Sequence, residues 1–399
     1  DVIIINTCGF IQDAKEESIE TIIRAGQLKE SANCRAVIVT GCLTQRYKEK
    51  IMKEMPEVDA VLGTGTFGSI VDTIKNVLQG RKINNIGKPS FDYKASIPRI
   101  VTDSHFAYVK IAEGCNNNCT YCSIPAIRGP LYSREIDDIY EEVKQLTAAG
   151  VQEIILVAQD TTQYGVDIYN KPAITELLKK LLTIKDIGWI RLLYSYPEYV
   201  TDELIDVIAE NDKICNYLDL PVQHSSNKIR KAMNRRGSRN QLMKLMKTLR
   251  KKIPDIALRT SLIVGFPGEN KEDFNTLVDF VREVKFDRLG VFKYSREEET
   301  TAANFDNQVS DKIKQKRFEK IMEIQRQISY NNNSYFLNKK LQVLVDEVNK
   351  ENAFARSQYD APDVDNQIIL PADNLKRGDM IMCYIKEAYE YDLLGEIVS

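Results

Sequence analysis

Three cysteines crowd the run Glu113-Gly-Cys-Asn-Asn-Asn-Cys-Thr-Tyr-Cys122, with Cys115, Cys119 and Cys122 spaced C-x3-C-x2-C. Thiolates this close, on a loop that follows a strand-like stretch, can grip one inorganic centre and hold it at a strand's end. They are one ligand short of the four that close an iron–sulfur or structural zinc site, which leaves a metal position open to a small molecule. A zinc site completed by His105 is the alternative, His105 being one of only two histidines in the chain. Structural zinc, however, usually takes its cysteines as short C-x2–4-C pairs. Two more thiols follow apolar runs, Cys8 in Asn6-Thr-Cys-Gly and Cys42 in Thr40-Gly-Cys-Leu. In an open parallel sheet ligands bind beyond the carboxyl ends of the strands, so both should face one crevice. Spacing alone also allows a pair of small buried residues at tight turns.

The elements that must position these groups can be read from periodicity. Residues 2–5 and 36–39 read as strands and residues 14–27 and 69–78 as helices, an alternation that predicts a parallel α/β domain. Residues 83–105, with Gly87, Pro89 and Pro98 and no periodicity, read as a linker. Six strands follow at 107–111, 153–158, 189–194, 217–222, 258–264 and 289–294, with helix starts at Ser133, Thr201 and Asn270. Six units fall short of the eight of a closed barrel, so an open partial (β/α)6 barrel is expected. Polar clusters close its strands: Gln159-Asp160, Ser195-Tyr-Pro, Gln223-His-Ser-Ser and Gly265-Phe-Pro-Gly-Glu269. Any one could be a turn, but strand ends of a barrel converge on its active-site mouth. His224 there is as readily a satisfied buried histidine as a substrate contact, and the basic run 228–252 reads as a solvated helical face. A charged helix at 311–331, capped by Ser310, leads into five short strands between 341 and 398, a small antiparallel β-barrel. The division expected is therefore 1–97, 98–333 and 334–399.

Composition narrows the partners. A chain of 399 residues with 43% hydrophobic and 28% charged residues reads as soluble and multidomain. Its net charge of −2 argues against coating nucleic acid by bulk electrostatics. The tail from Tyr335 holds 7 Lys and Arg against 12 Asp and Glu, a net of −5, which repels a polyanion and suits a basic protein. No apolar run approaches the ~18–20 residues of a membrane span, and no signal peptide is visible. Asp1 falls inside a strand-like run, so a preceding segment is expected. Eight cysteines in so long a chain indicate metal ligation in a reducing cytoplasm rather than a disulfide scaffold. Cys34, Cys215 and Cys383 stand alone and read as buried thiols.

With Tyr121 just before its last cysteine, the loop resembles the cluster motif of radical S-adenosylmethionine (SAM) enzymes. The whole chain is similar to the methylthiotransferases of that superfamily: an N-terminal cluster domain, a radical SAM barrel and a C-terminal TRAM domain. The resemblance implies two [4Fe-4S] clusters. Cys115, Cys119 and Cys122 match the ligands of the SAM cluster. Asn6-Thr-Cys8-Gly-Phe and Thr40-Gly-Cys42-Leu match the second and third ligands of an auxiliary cluster, whose first would lie upstream of Asp1. SAM bound to the first cluster would be cleaved to a 5′-deoxyadenosyl radical that removes a substrate hydrogen. The auxiliary cluster would carry the sulfur, and a second SAM the methyl group. Tyr121, by its place between two ligands, and Gln159, Gly265 and Pro267, by their positions at strand ends, are the candidate SAM contacts, and an electron donor is required. Two branches of the family differ in substrate, one taking an adenosine beside the tRNA anticodon, the other an aspartate β-carbon of the twelfth small-subunit ribosomal protein. Arg191-Leu-Leu-Tyr-Ser-Tyr-Pro, Leu220-Pro-Val-Gln-His-Ser and Arg356-Ser-Gln-Tyr-Asp-Ala-Pro-Asp-Val-Asp365 resemble the ribosomal-protein branch, and the acidic tail agrees.

Overall fold

The structure, a computed structural model, describes residues 1–89 and 105–398. Pro98 and the expected boundary at 97 lie outside the described residues. The described chain forms two compact units.

The first unit combines residues 1–89 with Glu113–Tyr132 and Ser295–Phe305. Its strands Val2–Thr7, Ala36–Gly41, Ala60–Leu62 and Ile83–Asn85 lie side by side in chain order, and every pairing is parallel. Alternation along a strand sends successive side chains to opposite faces. Val37 and Val39 accordingly join Ile22 and Ala25 of the helix Gln12–Ser31, while Ala36 and Ile38 join Val77 of the helix Ile70–Val77. Both faces are covered, as a parallel sheet requires.

The second unit comprises residues 105–112, Ser133–Tyr294 and 306–398. It contains the six expected strands as two parallel triplets. One is Phe106–Lys110, Glu153–Val157 and Trp189–Leu192; the other is Tyr217–Asp219, Ala257–Val264 and Arg288–Lys293. A bridge between Ile190 and Ile214 links them into one partial barrel. Thr201 and Asn270 cap their helices as read, each side chain accepting an N–H three residues on. Ser133 does not cap. The helix Ile136–Ala148 starts behind Glu135, because the Ser133 hydroxyl accepts from the Gly165 N–H at 2.9 Å.

After the helix Asp311–Ser334, strands Lys340–Val348, Asn352–Ser357, Ile368–Pro371, Met380–Ala388 and Leu393–Ile397 close a five-stranded barrel. Four neighbouring pairs are antiparallel, but Ile368–Pro371 and Leu393–Ile397 run parallel. Phe106, Ile155, Trp189, Leu193 and Tyr217 of the partial barrel share one apolar core with Val343, Leu344, Tyr359 and Ile368 of the small one.

A buried ionic chain runs through that core. Glu153, fully buried, accepts from Arg191 Nε at 2.6 Å and pairs with Arg356 at 2.7 Å. Arg356 also holds Asp346, whose other contact is His105 Nε2 at 2.8 Å. Arg191 continues to the Gln358 carbonyl at 2.8 Å and lies over the Tyr217 ring. Further along, Asp360 binds Arg288, and Asp365 binds both Tyr217 and Arg259. The tail segment from Arg356 to Asp365 is thus pinned along its length by the partial barrel.

Burial alone would raise the Glu153 carboxyl, but Arg191 and Arg356 outweigh it and hold the group below the usual carboxylate range. A depressed carboxylate stabilises the fold above its unfolded pKa of about 4.3, and that contribution is lost as pH falls through the folded value. Glu153→Gln leaves two buried guanidinium groups short of a countercharge and should cost about 3–5 kcal/mol. Chemical denaturation at pH 7 and pH 3 checks both. The wild type should exceed the variant by that margin at pH 7 and by less at pH 3. Equal midpoints at pH 7 would contradict the assignment.

Candidate metal centre

Cys8 and Cys42 follow directly on paired strands, Thr7 standing opposite Gly41 in the parallel register. Their turns meet backbone to backbone. A side chain at Gly9 would place its Cβ 2.8 Å from the Leu43 main chain; at Gly41, where φ is +105°, it would lie 2.5 Å from the Thr7 carbonyl. The two cysteines therefore occupy equivalent positions past adjacent strand ends, Cys8 exposed and Cys42 buried. Ser18 clamps the first turn, its hydroxyl donating to the Cys8 carbonyl at 3.0 Å and accepting the Cys8 N–H at 3.2 Å. Arg46, on the helix that opens at Cys42, donates to the Gly9 carbonyl at 2.8 Å and to Glu297 at 2.9 Å. Lys15 reaches the same Glu297 carboxylate at 2.9 Å.

The three-cysteine loop belongs to the same unit. It leaves its strand at Gly114, where φ is +73° and a Cβ would sit 2.0 Å from the Pro130 carbonyl, so only glycine fits. The Cys115 N–H donates to the Gly129 carbonyl at 3.2 Å and the Cys122 N–H to the Cys119 carbonyl at 3.0 Å. Asn116 Oδ1 accepts from the Leu131 N–H at 3.1 Å, and the Thr120 carbonyl from Ala302 at 2.8 Å. Cys115, Cys119 and Cys122 are half-buried thiols, and none of the eight cysteines is in a disulfide. Among the described residues no three His, Cys, Asp or Glu side chains converge on a single ion. A [4Fe-4S] cluster asks for something else, one thiolate on each of several irons, and three half-exposed soft donors on a glycine-shaped loop suit it. His105 is buried against Asp346 and is held there by its ring nitrogen.

The remaining sequence candidates are placed as follows. Tyr121 lies in the cysteine loop of the first unit, and Gln159, Gly265 and Pro267 at strand ends of the second. Gly265 has φ +73°, and the turn that follows is folded around Glu269, whose carboxylate accepts the N–H groups of Gly265 at 2.6 Å and Phe266 at 3.0 Å. Burial pushes the Glu269 carboxyl up to about 7, against the pull of Arg317. His224 is buried and holds the turn at Ser226, whose N–H it accepts at 3.0 Å; burial lowers its pKa to about 3, so the ring is neutral. The satisfied-histidine reading holds for that nitrogen alone: Nε2 is buried without a hydrogen-bond partner, with the Glu269 carboxylate 3.9 Å away. Tyr194 was not singled out by its residue type. It follows the strand Trp189–Leu192 in a left-handed conformation, φ +57°, with its side chain about half exposed, while Asp219 holds its N–H at 3.0 Å. Arg128 was missed too. Its Nη2 donates to Cys42 Sγ at 3.1 Å and its Nη1 to Glu113 at 2.7 Å. A lone cation six positions after the last cysteine of the loop was the available signal.

A loop of three thiols leading into an open six-stranded barrel, followed by a small β-barrel, defines a radical SAM enzyme with an appended TRAM domain. Family models agree: Radical SAM superfamily over residues 109–281, TRAM domain over 339–398, and Uncharacterized protein family UPF0004 over 1–63. Among curated proteins, the chain is 46% identical over 401 residues to "Ribosomal protein uS12 methylthiotransferase RimO" of Clostridioides difficile, covering 100% of this chain and 90% of that protein. It is 48% identical over 403 residues to the protein of the same name from Pelotomaculum thermopropionicum, covering 100% and 91%. The chain belongs to the RimO family of radical SAM methylthiotransferases. Among solved structures, the radical SAM methyltransferase TsrM from Kitasatospora setae, with cobalamin and a [4Fe-4S] cluster bound, superimposes with a TM-score of 0.58 at 13% identity. That match covers 75% of this chain and 65% of the other, and at such identity it speaks to fold alone.

Gly114→Ala should displace the cysteine loop, since the added methyl meets backbone rather than a movable side chain. Gly265→Ala meets Lys314 Cγ at 2.3 Å, a flexible side chain, besides adopting an unfavourable φ. After anaerobic reconstitution, iron bound per chain should fall sharply for Gly114→Ala and change little for Gly265→Ala. The opposite order would contradict this account of the loop.

Proposed function

We infer that this protein adds a methylthio group to the β-carbon of an aspartate of ribosomal protein uS12, a reading carried by likeness to curated RimO proteins along the whole chain. Cys115, Cys119 and Cys122 would hold a [4Fe-4S] cluster and leave one iron for the amino and carboxylate groups of SAM. When bound, the cluster and SAM supply the radical chemistry that removes the substrate hydrogen. Tyr121, Gln159, Gly265 and Pro267 would contact SAM; the glycine lets main chain approach the ligand closely. Cys8 and Cys42, set side by side by Gly9 and Gly41, would furnish two ligands of an auxiliary [4Fe-4S] cluster that carries the sulfur. Functionally the chain would divide into residues 1–97, 98–333 and 334–399, acting in the cytoplasm with an electron donor.

Arg288 and Arg259 of the partial barrel pair with Asp360 and Asp365, and the acidic excess that remains in the tail supports a protein substrate over tRNA, because acidic groups repel phosphates. No helix among the described residues is long and apolar enough to cross a membrane.

The division of labour between the two thiol sets is testable. Cys119→Ala should abolish both 5′-deoxyadenosine formation and modification of uS12. Cys42→Ala should still cleave SAM but yield no methylthio product. Chromatographic assay of 5′-deoxyadenosine beside mass analysis of uS12 reads both, and normal product from the Cys42 variant would refute the assignment.

A further inference from the structure

Arg128 sits at the end of the helical turn Ile124–Arg128, directly after the cysteine loop. Its guanidinium divides between two acceptors, the Cys42 sulfur at 3.1 Å through Nη2 and the Glu113 carboxylate at 2.7 Å through Nη1. Neither end is a loose surface contact. Cys42 is buried, Glu113 is 8% exposed, and the Arg128 side chain is 24% exposed. The turn itself is anchored, the Ala126 and Ile127 N–H groups each donating to the Ser123 carbonyl at 3.1 Å and the Ile127 carbonyl facing the Thr64 hydroxyl. A planar fork held by a carboxylate on one side presents its other N–H in a fixed direction, which a lysine could not reproduce.

We propose that Arg128 is a positioning residue for the auxiliary cluster: it donates to the Cys42 thiolate, raises the cluster's reduction potential, and is itself oriented by Glu113. This rests on the reading of Cys8 and Cys42 as ligands of that cluster. The physical reason is charge. A hydrogen bond from a cation to a ligand sulfur draws electron density from the thiolate and favours the reduced, more negative cluster. Glu113 opposes this through its own negative charge while it aims the guanidinium. The two residues should therefore act on the potential with opposite sign, which a contact that merely supports the fold would not do.

The test uses full-length protein in which Cys115, Cys119 and Cys122 are all replaced by Ala, so that only the auxiliary cluster reports. Iron content, the electron paramagnetic resonance signal of the reduced state and the midpoint potential are measured in that background. Arg128→Gln should lower the midpoint; Glu113→Gln, whose amide oxygen still accepts from Nη1 and keeps the guanidinium aimed while the negative charge is gone, should raise it; and Arg128→Lys should fall between wild type and Arg128→Gln. Coincident midpoints with iron retained would overturn the inference, as would shifts of the same sign in Arg128→Gln and Glu113→Gln. Should Arg128→Gln lose its iron, Arg128→Lys and Glu113→Gln carry the comparison by themselves. A background protein that binds no iron would instead overturn the reading of Cys8 and Cys42, a distinguishable failure that takes the inference with it.

Discussion

Glu153 between Arg191 and Arg356 is the constraint on which the second unit depends. One carboxylate at the start of a partial-barrel strand faces two guanidinium groups, one from the neighbouring strand and one from the C-terminal barrel. Charges so deeply buried are tolerated only when paired and hydrogen-bonded, because isolated burial costs several kcal/mol per ion. Here the pairing extends through Asp346 to His105 and through Gln358 into the main chain of the tail. An apolar core alone could bring the two barrels together in several registers. Directional ionic contacts restrict the choice, and the segment from Arg356 to Asp365 is held by acceptors and donors on several different strands.

A different principle shapes the first unit. There, close backbone approach at glycine positions sets where thiols stand: Gly9 and Gly41 draw two strand-end turns together, and Gly114 turns the chain into the three-cysteine loop. Segments distant in sequence meet in that unit. Residues Ser295–Phe305 contribute Glu297, which gathers Lys15 and Arg46 behind the Cys8 and Cys42 turns. The cysteine loop joins them through Arg128. All five candidate ligand cysteines consequently belong to one compact body. This is the arrangement expected if radical formation and sulfur delivery are to be coordinated.

Much of this was legible in the sequence, for reasons that differ by element. Strands such as Glu153–Val157 and Ala257–Val264 announce themselves as apolar runs bounded by turn residues, and Thr201 and Asn270 as caps with acids in the first turn. The places of Cys8 and Cys42 just past paired strands were legible because each follows an apolar run closed by turn residues. What was hidden depends on side chains that meet from afar. Ser133 has the composition of a cap, but a tertiary bond to Gly165 claims its hydroxyl. Arg191 and Arg356 open two of the stretches that resemble the ribosomal-protein branch, and their sequence gives no sign that they meet to neutralise Glu153. Nor does local pattern reveal that the tail barrel closes through a parallel pair, since register is decided by closure. Arg128 stands near the cysteine loop in sequence, but its partner Cys42 lies 86 positions away and nothing local names it.

The central claim is that this chain modifies a ribosomal protein by radical SAM chemistry. The most direct measurement is anaerobic incubation of the reconstituted full-length protein with SAM and a strong reductant, beside either purified uS12 or a tRNA anticodon stem-loop, followed by mass analysis of each. The account predicts a methylthio group on one aspartate of uS12 and none on the RNA. Modification of the adenosine with uS12 unchanged, or a colourless protein that holds zinc and no iron, would contradict it.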